Sequence, residues 1–239
     1  MKFFNTPKKL AIFGSAEMAL MAKYYFEQDT TMKVKRFVVD DEFVREDKLD
    51  KTPIISWTEF HQTHPVNGWK MHVALSYRNL NKLREAKFIQ CSLAGYELTS
   101  FISPKSNIAK DFKHGQNCFV LENQTIQPGV VFGDNVMVWS SNHIGHGTRV
   151  ESHAYISSQV VISGHAQIGM RCFIGVNASI RDFIAIGSDS LLGMGSVLTR
   201  DVPSGTVILA PRSEIIESHD PRAESIIEKN FGKKEKLQK

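Results

Sequence analysis

Apolar residues recur at every sixth position across the second half of the chain. Stepping by six from Ile102 meets Ile108, His114, Val120, Ile126, Phe132, Val138, Ile144, Val150, Ile156, Ile162, Ile168, Ile174, Ile180, Ile186, Leu192 and Leu198, all aliphatic or Phe except His114. A period of six fits neither the 3.6 of a helix nor the two of a half-buried strand. Hexapeptide repeats specify a parallel β-helix. Three hexads close a triangular coil of about 18 residues, and successive coils stack at about 4.8 Å. The chain therefore builds about five to six coils, each stable only against its neighbours. Glycine follows the hexad residue at Gly115, Gly133, Gly145, Gly169, Gly175, Gly187 and Gly193, where a tight corner is expected to need permissive backbone angles. Two residues before it stand small or β-branched side chains such as Ser106, Cys118, Val136, Thr148, Ala154, Ala166, Cys172, Ala178 and Ser196. These suit a narrow interior.

The segment before the repeat follows other periods. Lys9 to Phe13 reads as a buried strand ending at Gly14, and Ser15 is placed to cap the helical run AEMALMAKYYFEQ. VKRFVVDD is a second strand, ending in Asp40 and Asp41. WKMHVALS is a third, NLNKLREAKFIQCSLAG a helix closed by Gly95, and YELTSFIS the strand feeding the solenoid. This alternation predicts a small βαβ unit with a parallel sheet. The expected fold is thus an α/β N-terminal Rossmann-like domain over residues 1–100, a parallel β-helix over 101–212, and a short helical, basic tail over 213–239. Ligands of such a sheet sit beyond the carboxyl ends of its strands, where Gly14, Asp40 and Ser76 are delivered. GSAEMA keeps only the first glycine of a dinucleotide fingerprint, so a nicotinamide cofactor is discounted.

Composition changes this picture little. The 239 residues carry a formal charge of +4, but EKNFGKKEKLQK at the end holds five lysines against two glutamates, so the body is nearly balanced and nucleic acid is not expected as a partner. No apolar run is long enough for a signal sequence or a membrane span, which predicts a cytoplasmic protein without membrane contact. Three cysteines, an odd number, fit free thiols in a reducing compartment. Cys118 and Cys172 stand three coils apart, about 14 Å, too far to bridge.

The [LIV]-G-x4 pattern resembles the left-handed β-helix of hexapeptide acyltransferases, whose members characteristically form trimers with sites between subunits. Acyl transfer from a thioester needs a base for the acceptor and a donor for the oxyanion. SSNHIGHGTRVESHAYIS offers His143, His146 and His153 as the base. His146 lies on an outward corner past Gly145, and one coil further, at 146 + 18, stands Gly164, whose N–H has no side chain to shield it.

A βαβ unit followed by this solenoid resembles, over nearly the whole chain, sugar acyltransferases of the sialic acid O-acetyltransferase and bacillosamine-type N-acetyltransferase kind. The resemblance places the family's general base on His146 in IGHGTRVES and its oxyanion glycine on Gly164 in SQVVISG. It implies acetyl-CoA as cosubstrate, held by Asn177, Ala178, Gly193, Gly195 and Ser196; Arg181, Arg200 and Arg212 are candidates for its phosphates and equally for solvated corners. It implies a nucleotide-linked sugar in the N-terminal unit at Gly14, Ser15, Asp40, Asp41, Ser76, Tyr77 and Arg78, and a homotrimer. Two positions depart from the family pattern: Gly147 stands where a carboxylate often follows the histidine, and Tyr155 where a second histidine is expected. The expected activity is acetyl transfer to a nucleotide-linked amino or deoxy sugar by direct attack, with O-acetylation of a sialic acid or other sugar as the alternative. A non-catalytic sugar-binding scaffold is a further alternative. A zinc hydratase on the same solenoid would need three convergent imidazoles, where His143 and His146 offer only H-x-x-H; no metal is expected.

Overall fold

The computed structural model describes residues 9–232. Residues 9–98 form strands β1 (Lys9–Phe13), β2 (Lys33–Val39), β3 (Lys48–Leu49), β4 (Thr52–Ser56), β5 (Trp69–Val73) and β6 (Glu97–Leu98), with helices α1 (Glu17–Asp29), α2 (Trp57–Thr63) and α3 (Lys82–Leu93). The sheet order is β3-β4-β2-β1-β5-β6, parallel except for β3 against β4. Alternation along β1 explains the layering. Leu10 and Ile12 join α1 and its Phe26 on one side, while Ala11 and Phe13 join Phe60 of α2 and Phe88 and Cys91 of α3 on the other.

Three local expectations are corrected. Ser15 does not cap α1: Ala16 occupies the cap position and no side chain bonds to the first turn. The third helix starts only at Lys82, because Asn79, Leu80 and Asn81 all adopt left-handed angles. YELTSFIS is not one strand. Glu97–Leu98 closes the N-terminal sheet beside β5, and Phe101–Ile102 opens the solenoid.

From Phe101 onward two-residue strands alternate with four-residue corners. They form three parallel faces: the first runs from Phe101–Ile102 to Val207–Ile208, the second from Asn107–Ile108 to Val197–Leu198, the third from Val131–Phe132 to Ala185–Ile186. Register is constant at one coil, as in His143 opposite Thr125 below and Val161 above. These sheets and the hexad period fit a left-handed parallel β-helix. The hexad residues and the small residues two before them, Cys118, Val136, Ala154, Ala166, Cys172 and Ala178 among them, fill one continuous core. The period breaks after Leu198, and Val207 pairs with Leu191 sixteen residues back rather than eighteen. All three cysteines are buried and free.

The corner glycines serve another purpose than expected. The left-handed angles fall two residues later, at Asn117, Asn135, Gly147, Arg171, Asn177 and Asp189. Gly133 and Gly169 are required by the stacking itself: a Cβ would lie 2.6 Å from the Ser152 nitrogen and 2.5 Å from the Ser188 nitrogen of the next coil.

The N-terminal unit sits on the first face. Its α1 aromatics Tyr25 and Phe26 pack against Phe101 and Phe119, outward residues of that face. Helix α3 covers the corner between the third and first faces. There Arg84, almost fully buried, donates to the carbonyls of Asn135, His153 and Ala154 and to Asn81 Oδ1. A helix α4 (Pro221–Phe231) follows, its first turn bonded by the Asp220 carboxylate. The last seven residues of the expected basic tail, from Lys233 onward and including four of its lysines, lie outside the described residues. No helix among the described residues is long and apolar enough to cross a membrane.

Candidate active site

Two surfaces gather chemistry, at opposite ends of the second face. The first is the corner between the second and third faces. The hexad brings Ile144 inward, so the chain must turn outward at His146, which is exposed. Its imidazole lies over Gly164 of the next coil: a Cβ there would stand 2.6 Å from Cε1 and 2.9 Å from Nδ1. Only glycine leaves the ring this seat. The Gly164 carbonyl accepts from Phe183 N, and no hydrogen bond among the described residues uses its N–H. Gln127, from the preceding coil, accepts the His146 backbone N–H at 2.9 Å, and the same oxygen is 3.2 Å from Nδ1. An amide nineteen residues earlier thus faces the histidine, where Gly147 brings no side chain. His165 meets the His146 ring edge-to-face at 4.8 Å and stacks on Phe183 at 4.9 Å.

The second surface is a cleft of about 580 Å³ where the carboxyl ends of β1 and β5 meet the first face, lined by Ala16, Glu17, Ser76, Tyr77, Arg78, Trp139 and Tyr155. Gly14 follows β1 and packs against Ala74 and Leu75, which line the cleft. With φ at +132° and the Ala74 carbonyl 2.9 Å from any Cβ, no other residue fits. The uncapped first turn of α1 opens here. Tyr77 leans its ring on Tyr155 at 5.2 Å and Phe173 at 5.0 Å. Burial pushes the Tyr155 phenol up to about 12, so it stays neutral. Across Tyr77, Trp139 and Tyr155 lies a second cleft of about 600 Å³, lined by Ser157, Ser158, Phe173, Gly175, Val176 and Met194.

The structure therefore brings Ser76, Tyr77 and Arg78 together in one cleft, leaves Gly14 and Ser15 in the turn just before its Ala16, and keeps other expected residues away. Asp40 pairs with Lys87 at 2.6 Å. Asp41 accepts from the backbone and hydroxyl of Thr58 at the start of α2, which holds its carboxyl below the usual range. Both acids are spent on helices of the sheet's other side. Ala178 and Ser196 face the interior, 0% and 1% exposed, because they occupy the inward position two before the hexad residue. Asn177, Gly193 and Gly195 remain at the corner between the first and second faces, beyond the second cleft, and Arg212 is exposed after the last strand. Arg181 and Arg200 are exposed further along the stack, Arg181 on the His146 corner.

His143 lies outward on the second face, and His153 is buried with its Nε2 3.5 Å from Glu85. Among the described residues no three His, Cys, Asp or Glu side chains converge to hold a metal. Sequence reasoning missed Gln127, Glu17, Trp139, His165, Phe183 and Met194. Stacking arithmetic was the available signal for Gln127, since 146 − 18 lands on its neighbour Pro128.

Comparison with known proteins agrees with this architecture. Residues 166–200 match the hexapeptide repeat of succinyl-transferase. Curated relatives include an acyl-[acyl-carrier-protein]–UDP-N-acetylglucosamine O-acyltransferase of Burkholderia mallei, 32% identical over 107 residues, 42% of this chain. The match spans about two fifths of the relative's length. The acetyltransferase domain of PglB from Neisseria gonorrhoeae, in complex with acetyl coenzyme A, superposes with a TM-score of 0.77 at 22% identity, covering 88% of this chain and 100% of that one. A perosamine N-acetyltransferase variant from Caulobacter crescentus, solved with CoA and GDP-perosamine, gives 0.70 at 18%, covering 88% and 97%. WeeI from Acinetobacter baumannii gives 0.67 at 16%, covering 87% and 99%. The chain carries hexapeptide repeats and shares the two-part fold of these acetyltransferases.

Proposed function

We propose that the protein is an acetyl-CoA-dependent acetyltransferase acting on a nucleotide-linked amino or deoxy sugar, with His146 as general base. The observation that carries the reading is the corner itself: an exposed imidazole seated on a glycine, with one nitrogen occupied by Gln127 and the other open. In this reading the N-terminal unit is Rossmann-like. Arg78 and the uncapped first turn of α1 hold the diphosphate, and Tyr77 and Trp139 hold the sugar or base. The apolar cleft along Gly175, Val176 and Met194, with Asn177 and Gly195 at its edge, suits a pantetheine arm, and acetyl-CoA when bound supplies the thioester.

His146 Nε2 takes the proton as the acceptor nitrogen or oxygen bonds to the thioester carbonyl carbon. The Gly164 N–H meets the negative charge gathering on the carbonyl oxygen. The C–S bond then breaks, and the proton passes from His146 to the departing thiolate. No covalent enzyme intermediate is needed.

His146 lies one prism side away from both clefts, so a second copy must present its corner to the first copy's cleft. Exposed apolar side chains on this side, Val161, Phe183, Met194 and Val197, support a homotrimer with three shared sites, and the reading places it in the cytoplasm. A hydroxyl acceptor is the second reading, favoured by the O-acyltransferase relatives that match the solenoid. Release of free thiol from acetyl-CoA, measured with a panel of amino- and hydroxyl-bearing nucleotide sugars, tests both. Dependence on an amino sugar supports the first reading; no thiol release with any acceptor overturns the activity.

A further inference from the structure

We propose that Gln127 is a positioning residue that fixes the His146 imidazole as the Nδ1–H tautomer and so leaves Nε2 as the open basic nitrogen. The inference rests on the reading of His146 as the base, and it follows from one atom with two contacts. The Gln127 side-chain atom 2.9 Å from the His146 backbone nitrogen faces a group that can only donate. That atom must be the carbonyl oxygen, which removes the usual ambiguity between the two ends of an amide. The same oxygen stands 3.2 Å from Nδ1. An acceptor facing a ring nitrogen requires that nitrogen to carry its hydrogen. The other nitrogen then keeps its lone pair.

Among the described residues, nothing else on this corner substitutes for Gln127. Gly147 brings no side chain, Gly164 offers only the surface under the ring, and His165, the titratable group packed against His146, meets it edge-to-face. Beyond lie Arg181 and Asp182, paired with each other on the next coil. A neutral amide differs from a carboxylate in one respect that matters here: it orients the ring without adding a negative charge to favour the protonated imidazole. Gln127 sets direction and leaves basicity to the ring.

Imidazole ¹⁵N correlation spectra of the intact protein, with His146 assigned by its loss in His146→Ala, test this without relying on turnover. Wild-type protein is expected to show Nδ1–H at His146, and Gln127→Leu a mixture of both tautomers. Gln127→Leu should also lower kcat by about tenfold, part of the about 10²–10⁴ a positioned base supplies, with KM for acetyl-CoA unchanged. Gln127→Glu keeps the acceptor for both N–H groups. It should restore the Nδ1–H tautomer and move the acid limb of the kcat–pH profile to higher pH, since its charge favours protonated His146. An Nε2–H tautomer in wild type, or an unchanged tautomer in Gln127→Leu, overturns the proposal. If the tautomer responds as expected while His146→Ala stays fully active, the base assignment fails and the orienting role of Gln127 stands.

Discussion

Two corners of the prism are built to one rule and treated oppositely. Between the third and first faces, Asn117, Asn135, His153, Arg171 and Asp189 take left-handed angles in successive coils. Between the second and third faces, Gly147, His165 and Phe183 do the same. The first column lies under α3, and its polar groups are paired. Asn117 donates to Asn135, Asn135 bonds to His153, Arg171 bridges Glu85 and Asp189, and Arg84 closes on the backbone. The second column has no covering element among the described residues; His165 stacks on Phe183 and meets the His146 ring. A non-glycine residue at such an angle costs about 1–3 kcal/mol. Both columns offset that cost by stacking side chains from coil to coil, so the period specifies the corner but not what covers it. Cover separates a seam from a site.

The largest expected effect of that difference is on turnover. His146→Ala on the open corner should lower kcat by about 10² to 10⁴, about 3 to 5 kcal/mol in barrier at 1.36 per decade. The denaturation midpoint should hardly move, because a lone exposed side chain contributes within about 0.5 kcal/mol. Steady-state kinetics beside a urea titration reads both. A variant with normal turnover removes the open corner from the mechanism.

The covered corner should respond in the reverse sense. Arg84→Met keeps much of the buried stem but strips every donor from the Asn135 and His153 carbonyls. Each buried acceptor left unpaired costs about 1–3 kcal/mol, so a loss of about 3 kcal/mol is expected, with kcat at low temperature near wild type. A shift below about 1 kcal/mol in urea would mean that α3 is not held by this guanidinium.

How much of this was legible follows the same division. Sixteen apolar positions at a strict spacing dictated coils, faces and the inward position, because each hexad residue answers only to its own stack. His146 over Gly164 followed from adding eighteen. The N-terminal strands β1, β2 and β5 were readable as apolar runs, but β4 was not, its TPIIS being short and carrying a proline at its second position. Asp40 and Asp41 end the second strand as a ligand pair would, and nothing local reveals that Lys87 and Thr58, 47 and 17 residues on, claim them. The roles of Arg84 and Gln127 depend on contacts across 51 and 19 residues. Ala178 and Ser196 were misplaced by following a resemblance against the chain's own inward position.

Acid should sharpen the contrast between buried and open groups. Burial holds His72 down at about 4 and lowers His153, against the pull of Glu85. Unfolded, each takes a proton near 6.5. Stability is therefore fully present above about pH 6.5 and falls as pH drops toward 4, since only the unfolded chain binds the proton there. At 1.36 kcal/mol per unit, His72 alone should remove about 2 kcal/mol by pH 5. Urea midpoints between pH 8 and 5 check this, and His72→Asn, which keeps a donor for the Thr99 carbonyl, should flatten the slope. An unchanged slope in that variant would assign the acid loss elsewhere.

The smallest expected effect compares two glycines that look alike in the repeat. At Gly133 a Cβ would lie 2.6 Å from the backbone nitrogen of Ser152, which the stacked coil cannot move. Gly133→Ala should therefore cost stability. At Gly164 the Cβ would lie 2.6 Å from His146 Cε1, the far end of a side chain free to swing outward. Gly164→Ala should keep the wild-type midpoint while tilting the imidazole away from Gln127 and from the acceptor. A displaced base loses alignment before it loses chemistry, so kcat should fall by about tenfold, about 1.4 kcal/mol, with KM for the nucleotide sugar nearly constant. The pair is read together, midpoint against kcat. If Gly164→Ala instead unfolds the solenoid with turnover per folded molecule intact, the glycine belongs to the stack like Gly133, and the seat of His146 is incidental to its function.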